Sequence, residues 1–156
     1  MNLTLTIDDA QLQAKLASIA QKVGNLRPVL AMAGEIFKER TQERIRNGTD
    51  WNGKAFAPNS PTTLLLKRGN QPLVNRGVMR DTIDYKVDGN SVLIQTFALQ
   101  AATLQFGAKK GEFGKTRRGA PIPWGDIPAR PFFPDDESAL ETATQILMRY
   151  LDEEAP

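Results

Sequence analysis

The stretch Leu104–Phe133, LQFGAKKGEFGKTRRGAPIPWGDIPARPFF, limits what this 156-residue chain can fold into more than any other. Five glycines lie between Gly107 and Gly125, and five prolines between Pro121 and Pro134. Glycine frees the backbone and proline removes a ladder donor, so neither a regular helix nor a central strand runs through it. Loops of this length inside compact domains are uncommon and usually functional or disordered. Six basic residues (Lys109, Lys110, Lys115, Arg117, Arg118, Arg130) face two acids, Glu112 and Asp126, leaving the stretch at +4. Trp124 and the pair Phe132–Phe133 are aromatic anchors, which argues that its second half docks on something. The reading is a partner-binding arm over about residues 107–131. Its candidate contact residues are Lys109, Lys110, Lys115, Arg117, Arg118, Trp124 and Arg130.

Charge elsewhere sharpens this. The whole chain carries only +2, but residues 1–103 carry +4 and residues 135–156 carry −6. A basic arm and an acidic tail in one chain favour head-to-tail contacts between copies, because opposite patches attract and steer association. A homo-oligomer, with a ring as one closed form, is the expected assembly. The length suits one domain, residues 1–156, with its own core but not two. Hydrophobic residues at 40% and charged ones at 24% are the ordinary globular mix. No apolar run approaches the ~18 residues that cross a bilayer, so no membrane partner is expected. MNLTLTIDDAQ has neither a basic region nor an apolar core and does not read as a signal peptide. The absence of cysteine suits a reducing cytoplasm.

Along the chain, residues 3–7 (LTLTI) alternate with period two and predict a short strand. Asp8 or Asp9 then caps a helix with Leu12, Leu16, Ile19 and Val23 as its stripe, ended by Gly24-Asn25. Pro28 suits the start of a longer helix to about Arg46, with Val29, Leu30, Ala33, Ile36, Phe37 and Ile45 on one face. Asn47-Gly48 breaks it. The following segment is punctuated by proline and glycine, with one short helical turn starting at Ser60 or Thr62. Trp51 and Phe56 are expected to cover an edge of the core. Thr82–Val87 and Ser91–Phe97, joined by Asp88-Gly89-Asn90, predict a hairpin. Residues 98–106 read as a helical turn or an irregular apolar segment. A last helix begins near Pro134-Asp135-Asp136, with Leu140, Ala143, Leu147, Tyr150 and Leu151 as its stripe. The fold class is α+β: long N-terminal helices packed on a small, mostly antiparallel sheet, with the basic Gly/Pro-rich arm and a C-terminal helix.

The chemistry-bearing patterns are few. With no histidine and no cysteine, histidine-dependent triads and His/Cys zinc sites are excluded. Gly114-Lys115-Thr116 imitates the end of a phosphate-binding loop, but Lys109 stands where that motif needs its first glycine, and no good helix follows. Asp84-Tyr85-Lys86 with Asp81 resembles the acid-x-Lys element of a metal-dependent nuclease. The plainer account is the outward face of a hairpin strand, kept soluble by alternating charge. No cofactor and no enzymatic activity are expected. The arm's cations, interleaved with Phe106, Phe113 and Trp124, suit phosphates and stacked bases, so nucleic acid stays open as a partner. The acidic tail would repel a polyanion, and the charge distribution favours a protein partner.

Gln105-Phe106-Gly107, the Lys/Gly-rich arm and Ile127-Pro128-Ala129-Arg130-Pro131-Phe132 together resemble the phage virion morphogenesis, or tail completion, family, a group that includes Mu-like protein G. Trp51…Phe56-Ala57-Pro58…Thr63-Leu64, Leu73…Gly77-Val78-Met79…Thr82-Ile83 and the helix after Pro-Ala-Arg-Pro-Phe add to the likeness. The resemblance implies a non-enzymatic assembly protein of the virion, put together in the host cytoplasm. It would complete the tail for head–tail joining or assist capsid assembly, with phage tail, connector or capsid proteins as partners. Within the arm, Pro128 and Pro131 fix an extended backbone. Ile127 and Phe132 are therefore expected in the core beneath the last helix, with Arg130 paired to a carboxylate nearby or on a neighbouring copy.

Overall fold

The computed structural model describes residues 9–67 and 69–152, with side chains from Ala17 onward. The strand expected over residues 3–7 lies outside the described residues, as do Asp8 and the side chains of Leu12 and Leu16. The fold is α+β: six helices and a two-stranded antiparallel sheet among the described residues. In order they are α1 (Asp9–Gly24), α2 (Arg27–Asn47), α3 (Pro61–Leu66), α4 (Val78–Asp81), β1 (Ile83–Asp88), β2 (Ser91–Thr96), α5 (Ala101–Phe106) and α6 (Asp136–Asp152).

The helix α2 is the axis of the molecule. Pro28 occupies its first turn, where a missing N–H costs nothing. Its buried positions Val29, Ala33, Phe37, Thr41 and Ile45 recur every fourth residue. Because a turn takes 3.6 residues, such a line winds slowly around the helix and meets different neighbours at its two ends. Val29, Ala33 and Phe37 pack with Ile146 of α6, whereas Ile45 joins Phe56, Met79, Ile83 and Phe132. Trp51 bridges the two clusters: its ring lies 5.6 Å from that of Phe37, and its Nε1 donates to the Phe132 carbonyl at 2.9 Å.

The hairpin β1–β2 pairs Tyr85 with Ile94 and Asp88 with Ser91, so Gly89-Asn90 forms its two-residue loop. Ile83, Tyr85 and Val87 turn inward and Asp84 and Lys86 outward, as strand alternation demands. It lies across α2 at Gly34, which is buried. A Cβ there would fall 2.2 Å from the Tyr85 ring, so only glycine lets the sheet approach this closely. Ser60 caps α3, its hydroxyl accepting from the Thr63 amide at 3.2 Å.

Two expectations need correction here. Of the stripe read for α6, Tyr150 packs, but Leu140, Ala143 and Leu147 do not. Thr142 and Ile146 are buried, with Ala139 and Tyr150 beside them, while Leu140 is 70% exposed and Leu147 42%. The helix meets α2 along the line of Ala139, Thr142, Ile146 and Tyr150, where Arg40 Nη1 donates to the Thr142 hydroxyl at 3.3 Å. Phe132 is fully buried, but against the C-terminal half of α2 rather than beneath α6.

Candidate interaction surface

The arm has a base, a ladder and a tip. At the base, Ala108 and Ile127 exchange both backbone hydrogen bonds, 2.9 and 2.8 Å, and the Arg130 amide donates to the Leu104 carbonyl at 2.7 Å. Further out, Gly111 N donates to Pro123 O at 3.0 Å, Phe113 N to Ile122 O at 2.8 Å, and Ile122 N to Gly114 O at 2.8 Å. Thr116 and Ala120 close the tip, the Thr116 amide donating to the Ala120 carbonyl at 2.8 Å and the Ala120 amide to the Thr116 hydroxyl at 3.1 Å. The two limbs thus satisfy each other's backbone although neither is a regular strand. That pairing follows no periodic pattern, so composition alone could not disclose it.

Asp126 ties the limbs together. Its carboxylate accepts from the Lys110 amide at 2.8 Å and lies 3.6 Å from Lys109 Nζ. The amide hydrogen bond first, and then the Lys109 charge, hold this carboxyl below its usual range. Glu112 Oε2 in turn accepts from the Lys109 amide at 2.6 Å. Of the candidate contact residues, Lys109 is therefore engaged within the arm. Lys110, Lys115, Arg117 and Arg118 are exposed and have no ion-pair partner among the described residues. Trp124 is 75% exposed, Phe106 80% and Phe113 53%. Trp124, expected to dock, stays largely exposed and makes no ring contact among the described residues. The structure gathers these groups on the arm but not Arg130.

Arg130 is buried, at 6% exposure. Among the described residues, no carboxylate pairs with it. Its Nε donates to Ala57 O and its Nη2 to Pro58 O, both at 2.7 Å. The planar fork suits this use, since two of its donors reach neighbouring carbonyls at once. Burial pushes the guanidinium pKa down from its ordinary value. Lys67, across an open cleft of about 460 Å³, is lowered by its own burial and then by the Arg130 charge. The same element is clamped once more, because Gln105 Oε1 accepts from both the Phe132 and Phe133 amides, at 3.0 and 3.1 Å. Sequence reasoning missed Gln105. Its clamping role had no local signal beyond its place before Phe106-Gly107, where the arm departs, and its part in the family-like Gln105-Phe106-Gly107 piece.

The departure itself depends on Gly107, which has φ 76° and ψ 179°. That region is essentially closed to side chains, with strain of about 1–3 kcal/mol. A Cβ there would also lie 2.7 Å from Ile127 O and 2.9 Å from Ala129 N, both backbone atoms of the returning limb. Gly107→Ala is expected to open the base of the arm. Hydrogen exchange should show protection lost at the Ala108 and Ile127 amides and kept in the core hairpin.

The nuclease-like residues are committed elsewhere. Asp81 Oδ1 lies 2.6 Å from Arg80 Nε, and Asp84 Oδ1 lies 3.6 Å from Lys38 Nζ. Among the described residues, no group of three or more acidic, histidine or cysteine side chains could hold a metal ion. No described helix is long and apolar enough to cross a membrane.

The described residues thus form an α+β fold with two hydrophobic clusters and a hydrogen-bonded, basic and aromatic arm. The chain belongs to the phage virion morphogenesis family, whose model matches residues 7–152. No curated protein sequence and no solved structure matches it.

Proposed function

We propose that the protein is a non-enzymatic component of phage assembly that completes the tail for head–tail joining. The observation that carries this reading is the arm. Trp124 and Phe113 stand exposed beside Lys110, Lys115, Arg117 and Arg118 on a backbone already hydrogen-bonded to itself. Preorganised aromatic and arginine side chains are what protein interfaces use as anchors, because little ordering entropy remains to be lost on docking. Family membership supports a place in the virion. The capsid-assembly reading uses the same arm on a different partner.

Deleting the gene from its phage is expected to leave filled heads and tails that fail to join, visible by electron microscopy of the lysate. Malformed heads would move the role to the capsid. Normally tailed, infectious particles would overturn both. A nucleic-acid role has one specific observation behind it, the free cations interleaved with exposed aromatics. If it held, affinity for DNA would fall by orders of magnitude between low and physiological salt as counterions are released. The expected result is no gel shift even at low salt.

A further inference from the structure

The outward face of α6 carries an apolar stripe that the other described residues leave exposed. Leu140 is 70% exposed, Leu147 42% and Met148 60%, and Ala143 is exposed with them. Positions 140, 143 and 147 are three and four residues apart and so form one line along the helix. Asp136, Glu137 and Glu141 are exposed around the N-terminal half of the helix, with Glu141 on the flank towards α2. The arm has the complementary surface: exposed Phe113 and Trp124 set among Lys110, Lys115, Arg117 and Arg118. Among the described residues, no ion pair or hydrogen bond joins the arm to α6 within one chain.

We propose that the two surfaces meet between copies, the arm of one chain docking along the outward face of α6 of a second copy. This rests on the preceding reading only in taking the arm as the interaction element. Burying the Leu140–Leu147 line against Phe113 and Trp124 removes apolar surface from water on both sides. The acids around the N-terminal half of α6 meet the arm's unpaired cations, which sets orientation and speeds encounter. The two patches differ, so each contact leaves one arm and one α6 free. Such head-to-tail contacts propagate until rotation closes them into a ring. It also explains why α6 packs on α2 through Thr142 and Ile146 while its leucines face outward: the apolar line serves the neighbour.

Charge exchange tests this on the full chain. One variant combines Glu137→Lys with Glu141→Lys; the other combines Arg117→Glu with Arg118→Glu. All four positions are exposed, so circular dichroism should match the parent for both. In sedimentation velocity the parent is expected to self-associate and each variant to do so about tenfold more weakly or less, a loss of roughly 1.4 kcal/mol. An equimolar mixture of the two should recover association, since every arm then faces an α6 of opposite charge. A parent that stays monomeric up to its solubility limit overturns the proposal, as does a mixture that fails to recover. Association lost in the arm variant but kept in the α6 variant also overturns it. That last result leaves the arm standing as an interaction element, which the gene deletion tests separately.

Discussion

Phe132→Ala is expected to lower the stability of the protein by about 3–5 kcal/mol, the usual range for truncating a buried phenylalanine. The side chain is fully buried, at 0% exposure, in the cluster of Ile45, Phe56, Met79 and Ile83. Its ring also lies 4.8 Å from that of Phe133. The cavity left behind has little means of closing. The Phe132 amide is held by Gln105 Oε1 and its carbonyl by Trp51 Nε1, so the backbone cannot sink into the space. At about 2–4 °C per kcal/mol for a domain of this size, the melting temperature should fall by about 6–20 °C. Phe133→Ala, at a half-buried position, should cost clearly less. Urea unfolding followed by tryptophan fluorescence compares the two. Equal midpoints for Phe132→Ala and the parent would show that this residue is not part of the core. The effect reaches function through the chain: the arm returns to the domain at Arg130–Phe133, so loosening Phe132 also frees its base.

What the sequence could disclose depended on whether one segment's neighbours lay inside that segment. The hairpin was legible because alternation, the Asp88-Gly89-Asn90 turn and the return strand are all local. The start of α3 was legible for the same reason, with Ser60 three residues before the amide that it caps. The helix α4 was not, because four residues are too few to show a period.

The helix α6 failed differently. It has two candidate faces, and a periodicity argument selects the greasier line Leu140, Ala143, Leu147, Tyr150 and Leu151, of which Tyr150 packs on α2. Its partner α2 instead accepts Ala139, Thr142 and Ile146: Ile146 packs with Val29, Ala33 and Phe37, and the Thr142 hydroxyl meets Arg40. Burial is settled by the shape of the neighbour, and hydrophobicity is only a prior for it. A surface meant for another chain competes in the same pattern. Within the arm, the basic residues looked alike in the sequence. What separates Arg130 from the rest is a pair of carbonyls at positions 57 and 58, more than seventy residues away. Pro58 offered a faint clue, since a segment broken by proline leaves carbonyls without ladder partners.

Arg130→Ala follows from that position and is the second large effect. An exposed ion pair would contribute at most about 1 kcal/mol, and its loss would leave the fold intact. The structure predicts otherwise. Each hydrogen bond from a charged group contributes about 1.5–3 kcal/mol, and both of Arg130's reach carbonyls of a half-buried to exposed segment that water can partly re-solvate. Part of this is returned because the buried guanidinium no longer has to be desolvated. The net loss expected is about 2–4 kcal/mol, within the range seen when a buried polar network is broken. Arg130→Lys keeps the charge, but an ammonium on a flexible stem does not reproduce a planar fork, so it should recover only part of the loss. Chemical denaturation of the three proteins gives the order parent, lysine variant, alanine variant. The Ala57–Pro58 segment should also become accessible to protease in the alanine variant, because Arg130 is what fastens it to the base of the arm. If the alanine variant unfolds at the parent's midpoint yet fails to assemble, Arg130 acts on a partner and not as an internal clamp. If it unfolds early, any assembly defect is traced to the arm's lost footing, which the lysine variant should repair in proportion to the stability it restores.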